Sequence, residues 1–107
     1  MFTRIVETRA KAGKRQEMSR IVAEQILPIL QKQTGFVDLL ALTKTDDPDQ
    51  LISISVWKSQ QEADRYQREQ FKNIEKILNP VVDRELSVRT YDVQLSTAYR
   101  ISAGKAA

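Results

Sequence analysis

Part of the stretch "LISISVW" could form one wall of a small-molecule site. Alternate residues of a strand point to the same face, so one face of this stretch holds Leu51, Ser53, Ser55 and Trp57. Two small hydroxyl side chains between two large apolar ones leave space and supply hydrogen-bond donors. The pattern fits a concavity that holds a small molecule. It also fits a packed seam between two protein chains, in which serine is a small filler.

Two missing residue types limit the chemistry that the chain can perform. None of its 107 residues is histidine or cysteine. Histidine is the usual proton shuttle near neutral pH and the commonest metal ligand, and cysteine supplies thiolates and disulfides. Serine–histidine catalysis, cysteine nucleophiles and thiolate metal sites are therefore excluded. Asp46, Asp47 and Asp49 lack the glycine and the bidentate glutamate of an EF-hand loop, so we interpret them as a turn and predict no metal site.

Composition and charge predict a single globular domain with no nucleic-acid partner. The chain is 41% hydrophobic and 29% charged, which is an ordinary globular balance. Its net charge of +3 comes from Lys and Arg residues that are interleaved with Asp and Glu. A nucleic-acid site would need a concentrated basic face, and the RNA-recognition signature is missing from "LISISVW".

The sequence also predicts no association with membranes. No apolar run approaches the roughly 20 residues that a membrane-spanning helix needs. The amino-terminal stretch "MFTRIVETRAKAGK" carries Arg4, Glu7 and Arg9 in an alternating pattern, which is unlike the apolar core of a signal peptide. We therefore predict a cytoplasmic protein.

Changes in the hydrophobic period divide the chain into strands and helices. Alternation of apolar and polar residues predicts strands over residues 2–9, 36–43, 51–57 and 86–95. Apolar stripes at helical spacing predict helices over residues 14–33 and 59–79. The order is β-α-β-β-α-β. Because crossover connections are right-handed, this order predicts an α+β, ferredoxin-like fold with both helices on one face of an antiparallel four-stranded sheet.

Local signals predict how three of these elements begin, bend or connect. Ser59 followed by Glu62 is a capping-box pattern at the start of the second helix. Pro28 lies inside the first helix and predicts a kink over residues 24–27. The stretch "TDDPDQ" predicts a compact turn over residues 45–50.

The third strand raises the question of what covers each face of the sheet. Branched aliphatic residues in register are typical of the face beneath helices, so we expect that face to hold Ile52, Ile54 and Val56. The face with Trp57 would then be open in a single chain and would form a large apolar patch. Either a second copy of the sheet or a bound ligand must cover it.

Four stretches together resemble one known family: "IVETRAKAGK", "QTGFVDLLAL", "SVWKSQQEADRY" and "FKNIEKILNPVV". They are similar to the antibiotic biosynthesis monooxygenase family, whose members are small ferredoxin-like chains that pair into dimeric α+β barrels. The resemblance covers about residues 2–95. It implies a homodimer with the domain at residues 1–96 and a tail at residues 97–107 that is partly flexible or contributes to the dimer.

The resemblance argues against haem degradation. Members that degrade haem use an asparagine late in the first strand, a tryptophan at the end of the third strand and a histidine that ligates iron. Trp57 matches, but Thr8 occupies the asparagine position and the chain has no histidine. Tyr66 replaces the histidine that other members carry nine residues after the tryptophan, and a phenol is a poor base near pH 7.

The resemblance implies instead an oxidation, without cofactor or metal, of a small aromatic or quinone-like compound. Such a reaction needs an apolar pocket and groups that stabilise a phenolate or enolate. We expect apolar walls from Trp57 and Leu40 and hydrogen-bond donors from Tyr66, Ser55 and Ser53. Arg89 or Arg9 would supply a positive charge opposite the developing anion. In this assignment Trp57, Tyr66 and Arg89 are the catalytic residues.

Two other functions stay open from the sequence. The chain could form a homodimer that has no catalytic activity and that binds a small molecule or serves as an assembly unit. It could also bind a different protein through an edge of its sheet.

Overall fold

Four strands form one antiparallel sheet in the computed structural model, which describes residues 1–102. Along the sheet the strand order is β2-β3-β1-β4. The strands are β1 (Phe2–Arg9), β2 (Phe36–Lys44), β3 (Asp47–Trp57) and β4 (Ser87–Asp92). The sheet is open, and the helices pack on one face of it, so the predicted α+β, ferredoxin-like fold is confirmed.

Each of the two predicted helices consists of shorter segments. The first contains α1 (Arg15–Ile21), a π-helical turn (Val22–Ile26) and α2 (Leu27–Gln31). The second contains α3 (Gln60–Glu69) and α4 (Phe71–Leu78). Within residues 1–102, no helix is long and apolar enough to cross a membrane.

The π-helical turn lies where the sequence predicts a kink. Proline has no backbone N–H and cannot continue the α-helical hydrogen-bond pattern. Immediately before Pro28, the backbone N–H of Leu27 donates to the carbonyl of Val22, five residues earlier. The helical run therefore passes Pro28 through a widened turn.

A cap and a break shape the second helical run. The backbone N–H of Glu62 donates to Ser59 Oγ over 3.3 Å, which confirms the predicted cap. At Gln70 the backbone leaves the helical region, with φ −123° and ψ −25°. The first turn of α4 then closes on the Gln70 carbonyl, which accepts from the backbone N–H groups of Asn73 and Ile74. The break at Gln70 therefore ends α3 and separates it from α4.

The connection between β2 and β3 is shorter than the sequence predicts. Only residues 45–46 form the turn, and β3 begins at Asp47 rather than at Leu51. The register shifts between Thr43 and Lys44, opposite the stretch that contains Pro48. A proline cannot donate to the strand ladder, and a bulge accommodates it. β3 continues past this irregularity and therefore begins four residues earlier than the sequence predicts.

The helices cover the face of β3 that ends in Trp57. The Trp57 side chain is 0% exposed, and its ring lies 5.1 Å from the ring of Tyr66 on α3. The predicted assignment of Ile52, Ile54 and Val56 to the helix-covered face is therefore wrong. Period-two alternation says which residues share a face, but it does not say which face the helices cover.

The opposite face, which we call the open face, carries aliphatic side chains. Leu40 and Leu42 of β2 are 44% and 43% exposed. Leu40 lies opposite Ile54 of β3, and Leu42 lies opposite Ile52. On the other side of β3, Ile54 lies opposite Ile5 of β1. An exposed apolar patch does exist, as the sequence indicates, but it consists of these aliphatic residues rather than of Trp57.

The carboxyl-terminal segment reaches the open face. The Tyr99 hydroxyl donates to the carboxylate of Asp38, which lies opposite Val56 in the sheet register. Val56 is buried although it belongs to the open face. The predicted tail at residues 97–107 lies partly outside the described residues, because the structure describes the chain only to residue 102.

Gly35 provides a test of how the second helical run is held against the sheet. It has a φ of +86°, and a methyl group at this position would lie 2.7 Å from Cβ of Glu62 and closer still to its carboxylate. We expect Gly35→Ala to lower the free energy of unfolding by about 2 to 3 kcal/mol, because strain and a clash add.

Gly13→Ala is the matched control. Gly13 also has a positive φ, of +76°, but an added methyl group would meet nothing within 4 Å. Strain alone predicts a loss of about 1 kcal/mol. Urea denaturation measures both variants, and equal losses would show that the contact with Glu62 has no energetic role.

Candidate functional site

An apolar cavity lies between the sheet and the two helical runs. Its free volume is about 50 Å³. The first helical run contributes Val22, Ile26 and Leu30, and α4 contributes Phe71, Ile74 and Leu78. The strands contribute Arg4, Val6, Thr8, Leu39, Leu51, Ser53 and Ser55, and the lining is completed by Tyr66 and Leu86. The cavity therefore has apolar walls with a few polar groups at defined positions.

The elements that position these side chains follow from simple periodicities. Residues of one strand at a spacing of two share a face, which brings Arg4, Val6 and Thr8 to the cavity. On α4 the spacing of three and four places Phe71, Ile74 and Leu78 on one side. All three belong to the buried core.

Aromatic rings form a row beside the cavity. The Trp57 ring lies 5.7 Å from that of Phe36 in an edge-on arrangement and 5.1 Å from that of Tyr66. The Tyr66 ring lies 6.4 Å from that of Phe71, again edge-on. Such pairs are favourable beyond their buried area. The row fixes the position of the Tyr66 ring at the cavity wall.

Trp57 lies behind the lining of the cavity and contacts two of the lining residues. Its indole Nε1–H donates to Ser55 Oγ over 2.9 Å, and both groups are buried. Ser55 and Tyr66, which both touch Trp57, line the cavity, while Trp57 itself is not among the lining residues. Trp57 thus orients two lining groups instead of forming a wall.

Arg4 brings a positive charge into the cavity. It is 3% exposed, and its guanidinium carbon lies 5.0 Å from the centre of the Tyr66 ring and 4.8 Å from that of the Phe71 ring. Its Nη2 donates to Gln67 Oε1 on α3. Contacts of a cation with aromatic faces are attractive, more so when both are desolvated.

The sequence contains a signal for Arg4 that the prediction of site residues did not use. Phe2, Arg4, Val6 and Thr8 share one face of β1, so Arg4 is the one charged residue on a face that is otherwise apolar or uncharged. A charge on the buried face of a strand is rare unless it has a partner or a function.

Burial sets the protonation states at the cavity. It lowers the pKa of Arg4 below its ordinary value, although an arginine in a protein stays protonated near neutral pH. Burial raises the pKa of Tyr66, and the charge of nearby Arg4 opposes that rise. Tyr66 is therefore a neutral phenol near pH 7, able to donate a hydrogen bond but not to act as a base.

The structure brings together four of the residues that the sequence singles out. Ser53, Ser55 and Tyr66 line the cavity, and Trp57 contacts two of them. Ser55 lies opposite Arg4 in the register of β3 and β1, which places a hydroxyl beside the buried cation.

Three other predicted site residues lie away from the cavity. Leu40 belongs to the open face. Arg9 pairs with Asp47 near the β2–β3 turn, and this contact raises the pKa of Arg9 and lowers that of Asp47. Arg89 forms a 3.1 Å ion pair with Glu7 on the open face. The positive charge that the sequence-based assignment expects from Arg89 or Arg9 is supplied at the cavity by Arg4 instead.

The described part of the chain offers no cluster of ligands for a metal ion. Within residues 1–102, Asp and Glu side chains do not form a group of three that could hold one. The aspartates near the β2–β3 turn face Arg9 instead: its guanidinium pairs with Asp47 and lies 3.8 Å from both Asp49 and Asp83. We interpret their role as structural.

Comparison with protein families gave one match. The family model described as antibiotic biosynthesis monooxygenase matches residues 1–76, a span that includes every cavity-lining residue except Leu78 and Leu86. No curated protein sequence matches the chain significantly.

Several solved structures share the fold of this chain. A conserved protein from Methanosarcina mazei is 24% identical, with a TM-score of 0.71, and the match covers 85% of this chain and 91% of that one. SnoaB from Streptomyces nogalater, a cofactor-independent oxygenase, is 16% identical, with a TM-score of 0.76 and coverage of 90% and 95%. Rv0793 from Mycobacterium tuberculosis is 12% identical, with a TM-score of 0.73 and coverage of 90% and 97%. At these identities the likeness shows the fold alone.

The hydrogen bond between Trp57 and Ser55 predicts an asymmetry between the two cavity serines. Ser55→Ala leaves a buried indole N–H without its acceptor, which we expect to lower the free energy of unfolding by about 1 to 3 kcal/mol. Ser53→Ala removes a hydroxyl from the same strand face, and we expect it to stay within about 0.5 kcal/mol of the wild type. Urea denaturation of the two variants makes the comparison. A loss as large for Ser53→Ala as for Ser55→Ala would contradict the assigned role of the bond.

Proposed function

The chain belongs to the antibiotic biosynthesis monooxygenase family, and on that premise we propose that it is a cofactor-independent monooxygenase. Its substrate is a small aromatic or quinone-like compound that binds in the cavity between sheet and helices. One observation carries the proposal: the apolar cavity holds a few hydroxyl groups and one buried cation. The shared fold with SnoaB, a cofactor-independent oxygenase, is consistent with it.

The proposed chemistry needs only the substrate and dioxygen. The substrate loses a proton to give a phenolate or enolate, and this anion passes an electron to dioxygen. The two radicals combine through a carbon–oxygen bond, and the hydroperoxide loses water to leave a carbonyl group. One oxygen atom stays on the substrate and the other leaves as water. The substrate carbon, oxidised from CH₂ to C=O, supplies all four electrons.

The chain's contribution is to bind the substrate, to stabilise its anion and to exclude water. Ser53, Ser55 and Tyr66 donate hydrogen bonds to oxygen atoms of the substrate. Arg4 provides the positive charge that the sequence-based assignment sought from Arg9 or Arg89. In a dry apolar cavity such groups act far more strongly on a developing anion than they would in water.

The small size of the cavity adds a requirement. A free volume of about 50 Å³ holds a few water molecules, whereas pockets for organic ligands usually measure roughly 300 to 1,000 Å³. Binding must therefore displace lining side chains. The wall formed by α4 is the proposed moving part, because the break at Gln70 separates α4 from α3.

We further propose that the chain forms a homodimer through its open face. Leu40 and Leu42 of β2 are 44% and 43% exposed on that face, and Tyr91 of β4 is 50% exposed. Ile54 of β3 and Ile5 of β1 lie between β2 and β4 on the same face. A contiguous apolar patch on a sheet is typical of a surface that another chain covers. If the cavity proves inert, a non-catalytic dimer of this kind is the second candidate function. The proposed location is the cytoplasm.

Blocking the cavity tests the proposed activity. Ser53→Leu replaces a hydroxymethyl side chain of the cavity wall with a larger isobutyl group, and we expect it to reduce oxygen uptake with an active substrate by at least about tenfold. Ile54→Leu on the opposite face of the same strand is the control and should retain activity. The measurement is oxygen consumption by purified protein with a panel of anthrones and quinols. No uptake by the wild type with any of them would favour the non-catalytic dimer.

Charge on the open face tests the dimer. We expect the wild type to sediment as a dimer at micromolar concentration. Leu40→Glu should raise the dimer dissociation constant by at least about tenfold, because it buries a charge in an apolar contact. Lys72→Glu on the exposed side of α4 is the control and should leave the dimer intact. A monomeric wild type would show that the open face is covered in some other way.

A further inference from the structure

Arg4 is a buried cation without an acidic partner. The ion pairs formed among residues 1–102 involve Arg9, Lys14, Lys44, Arg65, Arg84 and Arg89, and none of them includes Arg4. Its guanidinium donates instead to two neutral groups, the amide of Gln67 and the phenol of Tyr66. The carboxylate of Asp64 acts on it only through space.

This arrangement is costly for the fold. Removing an arginine from water is strongly unfavourable, and a buried charge is normally matched by a carboxylate. The faces of Tyr66 and Phe71 offset only part of that cost. An apolar side chain of the same length would fill the space without the desolvation cost. The charge therefore points to a ligand that completes the pair.

The cavity also lacks a base. Arg4 is the one charged residue among the lining side chains of the described chain, and none of those side chains is a carboxylate. Tyr66 is a neutral phenol, and the sequence has no histidine. The polar groups at the cavity can stabilise an anion, but none of them can readily accept a proton from a substrate near pH 7.

We propose that the cavity selects compounds that enter already ionised, namely aromatic or quinone-like molecules with a phenolate or enolate group, and that Arg4 determines this specificity. The inference rests on the proposed function of the cavity and narrows its substrate class. The proton is lost to water before binding. Arg4 then pairs with the anion and holds it in the ionised form that reacts with oxygen.

The positive charge lies at one end of the cavity, which determines how a bound ligand is oriented. Arg4, Ser55 and Tyr66 lie at one end, where the charge and two hydroxyls are close together. Four residues further along β1, Thr8 lies opposite Leu51, and Leu86 also lines the cavity. At about 3.4 Å per residue the two ends are roughly 14 Å apart along the strand. The anionic group of the ligand lies at the Arg4 end and its apolar rings point towards Leu51.

Gln67 leaves the charge available to such a ligand. Gln67 is exposed on α3, so its amide can turn to solvent when an anion takes its place at the guanidinium. A planar guanidinium matches two oxygen atoms at once, as in a carboxylate or in adjacent oxygens of a hydroxyquinone anion. A neutral amide is a weaker partner than either of these.

Two probes of nearly equal shape test the proposal. The first is 2-hydroxy-1,4-naphthoquinone, which is an anion near pH 7, and the second is its neutral methyl ether. Titration calorimetry measures both dissociation constants for the full chain. We expect the wild type to bind the anion at least about tenfold more tightly than the ether, the effect of a charge-assisted hydrogen bond.

Variants of Arg4 assign the preference to this residue. Arg4→Met keeps the length of the side chain and removes its charge; it should abolish the preference for the anion and leave affinity for the ether within about twofold. Arg4→Lys should retain part of the preference, because it keeps the charge but loses the fork of donors. Arg68→Met on the exposed side of α3 removes the same net charge and should behave as the wild type does.

Each outcome has a distinct meaning. Equal binding of the two probes by the wild type, or a preference that survives in Arg4→Met, would overturn the inference and leave Arg4 as a structural residue that ties Tyr66 to Phe71. If Arg4→Met does not fold, the comparison of probes with the wild type alone decides. Binding of neither probe would overturn the inference together with the cavity proposal. A clear preference for anions without oxygen uptake from any substrate would support the inference and count against the oxygenase.

Discussion

The packing of Trp57 between the sheet and α3 is the contact on which the rest of the structure depends. The indole is fully buried, packs against the rings of Phe36 and Tyr66, and donates a hydrogen bond from its N–H to Ser55 Oγ. An indole removes roughly 150 to 250 Å² from water, which at about 25 cal/mol per Å² is a gain of several kcal/mol. This one side chain selects the face of the sheet that the helices cover. It thereby decides which residues surround the cavity.

The same region contains a strongly stabilising contact and, beside it, a buried charge that destabilises the fold. Next to the aromatic row, a guanidinium lies in an apolar environment with neutral groups as its partners. Stable folds tolerate such local costs at functional sites, because selection acts on activity as well as on stability. The fold and the site are therefore not separate parts of the molecule: the rings that hold α3 and α4 on the sheet are also the surfaces on which the cation rests.

Much of the fold is readable from the sequence, and part of the site is not. The order of elements, the cap at Ser59 and the grouping of Ser53, Ser55 and Trp57 on one face follow from periodicity and side-chain chemistry. However, two-residue alternation does not distinguish the two faces of a strand, so it could not tell which face meets the helices. The branched residues Ile52 and Ile54 favoured the wrong face. Leu40 was misplaced for a different reason: the register shifts between Phe36 and Asp38, so that Leu40 lies opposite Ile54 rather than Ser53 and belongs to the open face. A correct assignment of faces would have put Arg4 in the interior and made it the obvious cation.

The π-helical turn before Pro28 lets the first helical run absorb a change in length. A turn of this kind accommodates one residue more than an α-helical turn does. In a regular α-helix, deletion of one residue rotates everything that follows by about 100°, since there are 3.6 residues per turn. Deletion of one residue from the widened turn would instead restore ordinary α-helical geometry, so Leu30 would keep its place at the cavity. Among related chains, one-residue insertions and deletions at this point should therefore leave the shape of the binding site almost unchanged.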